Sequence, residues 1–425
     1  MIMTSEKLQQ TIQHQMRIPE GYKKTKSGII PADWTTYTLG DIYTERKEAG
    51  IPSLPILTVS IHSGVSDGAL DDDELGKKVK RIEDRTQYRT TRSGDLVFNM
   101  MRAWQGAIGV VRSDGLVSPA YIVATPNESV VYPPFMDYYM KTPEMVNRIH
   151  RKSYGVTDFR LRLYWDSFAI IDCALPPLPE QKKIAKILST QDKIIELYER
   201  KIEELEKLKK AFMQKMFPKK GESVPKWRLP QFTDPWEERK FGTMFKRRTE
   251  RNNGQFDNTR WISVAKMYFQ EAEKVSSNNI DTRTYVMRRG DIAFEGHSNN
   301  EYKYGRFVAN DIGDGVISEL FPIYMHIDDY DESYWKYAIQ IENIMAPKLL
   351  RCIEISYTSS NKLDEDFFLK ESILVPTISE QQQIGLYFRS MDKLIKLHQQ
   401  KLNQEKQKKK ALMQLLLSGV VRVNV

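Results

Sequence analysis

The sequence is poor in the residues that staple small folds or hold metal ions. Its 425 residues include two cysteines, Cys173 and Cys352, far apart, and six scattered histidines. Two distant thiols exclude a disulfide framework and point to reduced cysteines, so a cytoplasmic protein is the expectation. The cysteines and histidines show no metal-ligand spacing. No apolar run approaches the ~18 residues of a membrane-spanning helix. The segment MIMTSEKLQQTIQHQMRIPEG lacks an apolar core followed by a small-residue cleavage site, so no secretory signal is expected. Hydrophobic residues at 40% and charged residues at 28% suit a globular chain with room for two or three cores.

Catalytic signatures are missing as well. There is no phosphate-cradling Walker loop and no glycine-rich cofactor turn after a strand. Tyr132-Pro133-Pro134-Phe135 imitates the Asn/Asp-Pro-Pro-aromatic loop of adenine methyltransferases but lacks its polar first residue, so it reads as a loop and helix start. Glu199-Arg200-Lys201 has nuclease-like spacing but lies in a long helical stretch, where it reads as a solvated face. A non-catalytic chain is expected.

What is present is charge concentrated in two places. Residues 182–220 carry a net charge of +6 and residues 382–425 a net of +7, within a total of +8; the remainder is therefore −5. The basic pI reports those two segments rather than the chain as a whole.

Both segments belong to an internal repeat with an offset of 200 residues. The stretch PPLPEQKKIAKILSTQDKIIELYERKIEELEKLKKAFMQ, from Pro176, aligns without gaps on PTISEQQQIGLYFRSMDKLIKLHQQKLNQEKQKKKALMQ, from Pro376. Glu180/Glu380, Gln181/Gln381, Ile184/Ile384, Asp192/Asp392, Lys193/Lys393, Lys201/Lys401, Ala211/Ala411 and Gln214/Gln414 are identical pairs. Prolines end the preceding strand and favour a helix start. An apolar stripe follows through Ile184, Leu188, Ile195, Tyr198, Ile202, Leu205, Phe212 and Met216. The second copy repeats it, with His398, Glu405 and Lys409 interrupting. This is a coiled-coil pattern, and each helix should run roughly 50–55 Å. Two amphipathic helices covering separate cores are the plainer alternative, but the stripe is narrow and long.

The regions before the helices match more loosely: Trp34 with Trp236, Leu39-Gly40 with Phe241-Gly242, RSGDLVF from Arg92 with RGDIAF from Arg289, and Gly115–Ser118 with Gly315–Ser318. Short strands alternate there with helical stretches. The expected fold is α+β: two mixed α/β domains separated by two long helices that pair antiparallel, with an internal pseudo-twofold repeat. The expected map is an N-terminal helical extension (1–27), a first domain (28–175), a first helix (176–217), a four-proline linker (218–235), a second domain (236–375) and a second helix (376–425).

Nearly identical helices after diverged domains resemble the specificity subunit of type I restriction–modification systems. The motifs carrying this are LPPLPEQKKIAKIL with VPTISEQQQIGLYF, the openings at Trp34 and Trp236, and the SGDLVF/RGDIAF turns. The resemblance spans nearly the whole chain, although Thr377 and Ser379 depart from the first copy's proline pattern. It implies two target-recognition domains that each read half of a bipartite double-stranded DNA site, with the helices as the ruler between half-sites. It also implies two modification subunits that bind S-adenosylmethionine and methylate adenine, and motor-nuclease restriction subunits; no cofactor is expected on this chain. The physics agrees, since a pseudo-twofold protein suits a DNA backbone and unlike domains imply unlike half-sites.

Base readout needs paired donors and acceptors, and backbone anchoring needs cations and hydroxyls. In the first domain the candidates are Lys77, Lys78, Lys80 and Arg81; Arg102 and Gln105 after a buried strand; and Ser153, Tyr154, Thr157, Arg160 and Arg162 before the final strand. In the second they are Arg248 and Asn252; His297, Ser298, Asn299 and Asn300, in the place of Arg102–Gln105; and Ser359, Ser360, Asn361 and Lys362, opposite the Ser153–Arg160 segment. Two other readings are a coiled-coil scaffold whose domains bind proteins, and a fragment of a fused restriction enzyme. The missing catalytic motifs disfavour the second, and DNA binding separates the first.

Overall fold

Each long helix begins just after a proline that ends the preceding strand, at Pro176 and Pro376, and opens on the Glu-Gln motif. They span Leu178–Lys215 and Ile378–Leu417. The structure, a computed structural model, describes residues 18–26, 28–61, 64–66, 82–155, 157, 160–219, 221–275, 279–356 and 360–423. Two units share the helices: one contains residues up to Leu197 and Leu402–Val425, the other Tyr198–Lys401. A cut at the helix starts would separate each domain from the helical halves that complete it.

In the first unit a four-stranded antiparallel sheet has the order Tyr43–Arg46, Tyr121–Pro126, Leu96–Asn99, Ile108–Val110. Strand Asp172–Leu175 pairs with Thr35–Thr38 and delivers the chain to the helix. Leu96, Phe98, Phe135, Phe168, Ile184 and Leu188 lie in one core. The chain thus folds the start of the first helix, with Leu416 and Leu417 from the end of the second, into this domain. The expected N-terminal helical extension lies largely outside the described residues. Its described end is instead a strand, Tyr22–Thr25, paired with Gly28–Pro31. Alternating residues and Gly28 in the left-handed region (φ 110°) favour a hairpin over a helix there.

The second unit repeats the plan with the order Phe245–Arg248, Ile323–His326, Ile292–Glu295, Arg306–Ala309. Strand Glu237–Lys240 pairs with Ser372–Val375. Gly385, in the place of Ala185, is a packing requirement: a Cβ there would come within 2.4 Å of Asp331 and 2.8 Å of the Tyr334 amide. The helix can lie on the domain only without a side chain at this position.

Helix pairing within each unit is antiparallel and uses the polar residues that break the stripe. In the first unit Lys409 Nζ lies 2.5 Å from Asp192, whose other oxygen accepts from Tyr138 Oη at 2.7 Å. In the second, Lys209 donates to Asp392 at 2.6 Å and Tyr337 Oη donates to the same carboxylate at 2.6 Å. Gln191 donates to Glu405 at 2.7 Å. The interruptions are the polar contacts of the seam.

The Glu-Gln motif itself is a clamp. Gln181 accepts from the Tyr132 amide and donates to the carbonyls of Val130 and Pro176, fastening the helix start to its domain. Gln381 repeats this with the Asp331 amide and the Pro376 carbonyl. Glu180 receives both ends of the Arg422 fork at 2.8 and 2.7 Å. Glu380 receives the Arg228 fork at 2.7 Å on each oxygen. The proline-rich stretch expected as a linker is therefore docked: Arg228 grips Glu380, and Trp227 meets Phe212 and Tyr387 edge-on or tilted. Tyr132-Pro133-Pro134-Phe135 is the start of helix Pro133–Tyr139, with Phe135 buried, and Glu199–Lys201 lie exposed within the first long helix.

Candidate nucleic-acid interface

Identical charge cages support the sheet edge in both domains. Arg46 grips Asp95 at 2.8 and 3.2 Å and reaches Glu48 at 3.3 Å. Arg92 bridges Glu48 at 2.6 Å and Asp114 at 3.0 Å. Arg248 likewise grips Asp291 at 2.6 and 3.1 Å and reaches Glu250 at 3.2 Å. Arg288 bridges Glu250 at 2.5 Å and Asp314 at 2.9 Å. Burial pushes the Asp291 carboxyl up from its ordinary pKa, opposed by Arg248. Hydrogen bonding to Arg288 holds Glu250 down. Removing one partner of such a buried pair costs about 3–5 kcal/mol, because the other charge is left stranded. Sequence reasoning noted the Gly-Asp turns but set Arg92 against Arg289, whereas Arg288 is the structural counterpart, and it missed this cage, which joins residues up to 49 positions apart.

Arg248 is therefore committed to the cage and withdrawn as a DNA contact. Asn252 is withdrawn too: it is fully buried, bonded both ways to Phe256 and donating to Asp281 at 3.0 Å. It holds a turn in which Asn253 and Gly254 take positive φ. Ser153 caps a helix end, its buried hydroxyl donating to the Ile149 carbonyl at 2.8 Å. These residues have the right chemistry for DNA, but their polar atoms are spent internally.

The loops leaving the sheet are different in the two domains. In the first, Asn99 accepts from the Met101 amide, and a single turn, Ala103–Gln105, buries Ala103. Trp104 donates to the Met101 carbonyl and leans on His150. Tyr154 and Arg162 form a two-way backbone bridge, and the Leu163 amide donates to the Met100 carbonyl at 2.8 Å. The two segments thereby form one concavity of about 540 Å³, lined by Met101, Arg102, Trp104, Gln105, Arg160, Leu161 and Arg162. Among the described residues no side-chain partner holds Arg102, Arg160 or Arg162. Tyr154 is exposed beside Tyr164, and Thr157 is exposed. Lys77, Lys78, Lys80 and Arg81 lie outside the described residues.

In the second domain the corresponding loops are also brought together, by polar bonds. The Asn361 amide donates to the Gly296 carbonyl at 3.0 Å, and its side chain joins Ser298 at 3.2 Å and the Ser356 amide at 2.9 Å. A Cβ on Gly296 would meet the Asn361 carbonyl at 2.1 Å, so the approach needs glycine. His297 binds buried Glu295 at 2.6 Å, and Ser360 lies 3.5 Å from the same ring nitrogen. Asn299 is exposed, its side-chain oxygen accepting from the Glu301 and Tyr302 amides of its own turn. Asn300 and Lys362 stay exposed; Ser359 lies outside the described residues. Asn361 is thus a buried latch between loops rather than an exposed reader.

Among the described residues no group of His, Cys, Asp and Glu is suited to a metal ion, and no helix is long and apolar enough to cross a membrane.

The comparisons with known proteins agree with the sequence. A family model for the type I restriction modification DNA specificity domain matches residues 119–207. The type I restriction enzyme MjaVIII specificity subunit of Methanocaldococcus jannaschii is 24% identical over 431 residues, 95% of this chain and 96% of its own length. The EcoBI specificity subunit of Escherichia coli is 24% identical over 213 residues, 47% of this chain and 44% of its own. The S subunit of a type I restriction-modification system from M. genitalium matches with a TM-score of 0.53 at 13% identity, covering 97% of this chain and 99% of that one. A chain from a structure of a type I R-M system gives 0.54 at 16%, covering 92% and 99%. At these identities the structures speak to the fold alone. The resemblance read from the repeated helices therefore holds: the chain is similar, over nearly its whole length, to specificity subunits of type I restriction–modification systems.

Proposed function

We propose that this chain is the DNA-recognition subunit of a type I restriction–modification complex and reads a bipartite, asymmetric site, one half per domain. The observation that carries the proposal is the contrast within each domain. Each domain pairs an internally satisfied charge cage at the start of a central strand with two adjoining loops beyond its other end, and in the first domain, among the described residues, those loops leave three arginines without side-chain partners around one concavity. Cations without partners beside an exposed aromatic are the donors that phosphates and base edges require. The long helices set the distance between half-sites. Modification subunits carry S-adenosylmethionine and methylate adenine, and restriction subunits join for cleavage.

The test is methylome sequencing of cells with and without this chain, expressed beside its methyltransferase. The expected result is N6-methyladenine at one split, asymmetric motif, lost when the chain is absent. An unchanged methylome with an active methyltransferase would overturn the proposal and favour a protein-binding scaffold.

A further inference from the structure

Resting on that reading, we infer that the first half-site is read at guanine, through its N7 and O6, by an arginine of the Met101–Arg162 concavity, and that the second half-site is not read this way. The concavity offers three cations, Arg102, Arg160 and Arg162, and a glutamine, Gln105, beside apolar Met101, Trp104 and Leu161. A phosphate can take an arginine fork too, but phosphate contacts carry no base preference, so base readout is the role that the DNA substitutions below isolate. A guanine edge in the major groove presents two acceptors side by side and is matched by a planar two-donor fork. Glutamine supplies the corresponding donor–acceptor pair for a neighbouring adenine.

Other arginines show what a committed fork looks like. Arg46, Arg228, Arg248, Arg351 and Arg422 each place two nitrogens on a carboxylate or carboxylates. The three in the concavity have no such partner among the described residues, so their forks are available. The paired loops of the second domain present His297, Asn300, Ser360 and Lys362, with no arginine among them. That set can contact adenine, thymine or phosphate, but it lacks the bidentate guanine reader.

The experiment uses the assembled methyltransferase complex and oligonucleotides carrying its motif. A full-length chimaera with residues 28–197 and 402–425 exchanged together for the matching unit of another specificity subunit identifies which half-site belongs to which domain. Guanines are then replaced one at a time by 7-deazaguanine, which lacks the N7 acceptor. In the first half-site one such replacement should slow methylation roughly 10- to 100-fold, whereas in the second the rate should hold. Of Arg102→Lys, Arg160→Lys and Arg162→Lys, one should keep overall DNA binding while relaxing the base preference at that position. Full tolerance of 7-deazaguanine in the first half-site, or a first half-site without a G·C pair, overturns the inference while leaving bipartite recognition standing. Absence of any split motif instead overturns the functional proposal beneath it. Tolerance of 7-deazaguanine in both half-sites overturns the inference without any variant, so the DNA substitutions keep it falsifiable even where the chimaera or a variant fails to fold.

Discussion

In the first domain Arg46 holds Asp95 while Arg92 ties Glu48 to Asp114; in the second Arg248 holds Asp291 while Arg288 ties Glu250 to Asp314. These contacts agree closely between copies, as do the Gln181 and Gln381 clamps and the Asp192 and Asp392 latches. The loops leaving the sheet share almost nothing: an arginine-lined concavity in one domain, a web of histidine, serine and asparagine in the other. Within a duplicated chain, retained polar pairs mark what the frame needs. Divergence marks where the two copies were free to take different ligands. The comparison sorts polar residues by whether the repeat preserves them, which residue type alone does not.

The clamps are alike but not equally shielded, and that difference gives the largest expected effect. Glu380 is buried and Arg228 largely shielded, with side-chain exposures of 2% and 11%, and the arginine fork is given wholly to that carboxylate. Arg422 is 37% exposed and shares its fork between Glu180 and Asp33. Glu380→Ala strands a buried guanidinium and should cost about 3–5 kcal/mol. Glu180→Ala leaves Arg422 paired with Asp33 and near water, and should cost about 1–3 kcal/mol. Denaturant unfolding of both variants measures the gap. Equal losses would show that the two clamps are energetically equivalent despite their exposure.

A smaller effect separates latch from reader in the second domain. Asn361→Ala removes the bonds that hold the Gly296 and Ser356 loops together and should cost about 1–3 kcal/mol, with loss of methylation at motifs carrying the second half-site. Asn300→Ala touches nothing internal, so it should leave stability within about 0.5 kcal/mol and alter only recognition. Melting and methylation are measured on the same preparations. A stable Asn361→Ala variant with unaltered recognition would remove the latch from the interface.

Much of this frame was legible in the sequence. The ungapped repeat from Pro176 and Pro376 marks both helices, the Gly-Asp turns mark the strands, and the two polar loops of each domain stand out by their residue types. What could not be read was whether a polar side chain faces solvent or another residue. Arg248, Asn252 and Asn361 look like DNA contacts by type, yet their partners are a carboxylate, a local turn and a second loop. The clamps were hidden for a related reason: Arg422 lies 242 residues from Glu180, and Arg228 lies 152 from Glu380. Neither arginine falls in the aligned stretch, and each grips the helix start of the other copy.

At the strand position where Pro126 faces Tyr43 in the first domain, His326 faces Phe245 in the second. Its ring stacks on Tyr330 at 3.6 Å and lies within 4.2 Å of Phe245 and 5.4 Å of Trp335, centroid to centroid. Burial among these rings pushes its pKa down to about 3 from an ordinary 6.5. Between those values the unfolded chain takes up a proton that the folded chain refuses. Stability therefore falls as pH drops below about 6.5, by up to about 1.4 kcal/mol per pH unit from this residue, until the folded pKa is reached. His326→Phe keeps a flat ring against Tyr330 and removes the titration. Between pH 7.5 and 5.5 the natural chain should lose about 1.4 kcal/mol more than the variant, measured as the difference in unfolding free energy. Carboxylates elsewhere act on both chains alike and cancel in that difference. Parallel pH profiles would mean that His326 stays protonatable in the fold, and that the aromatic stack does not shield it.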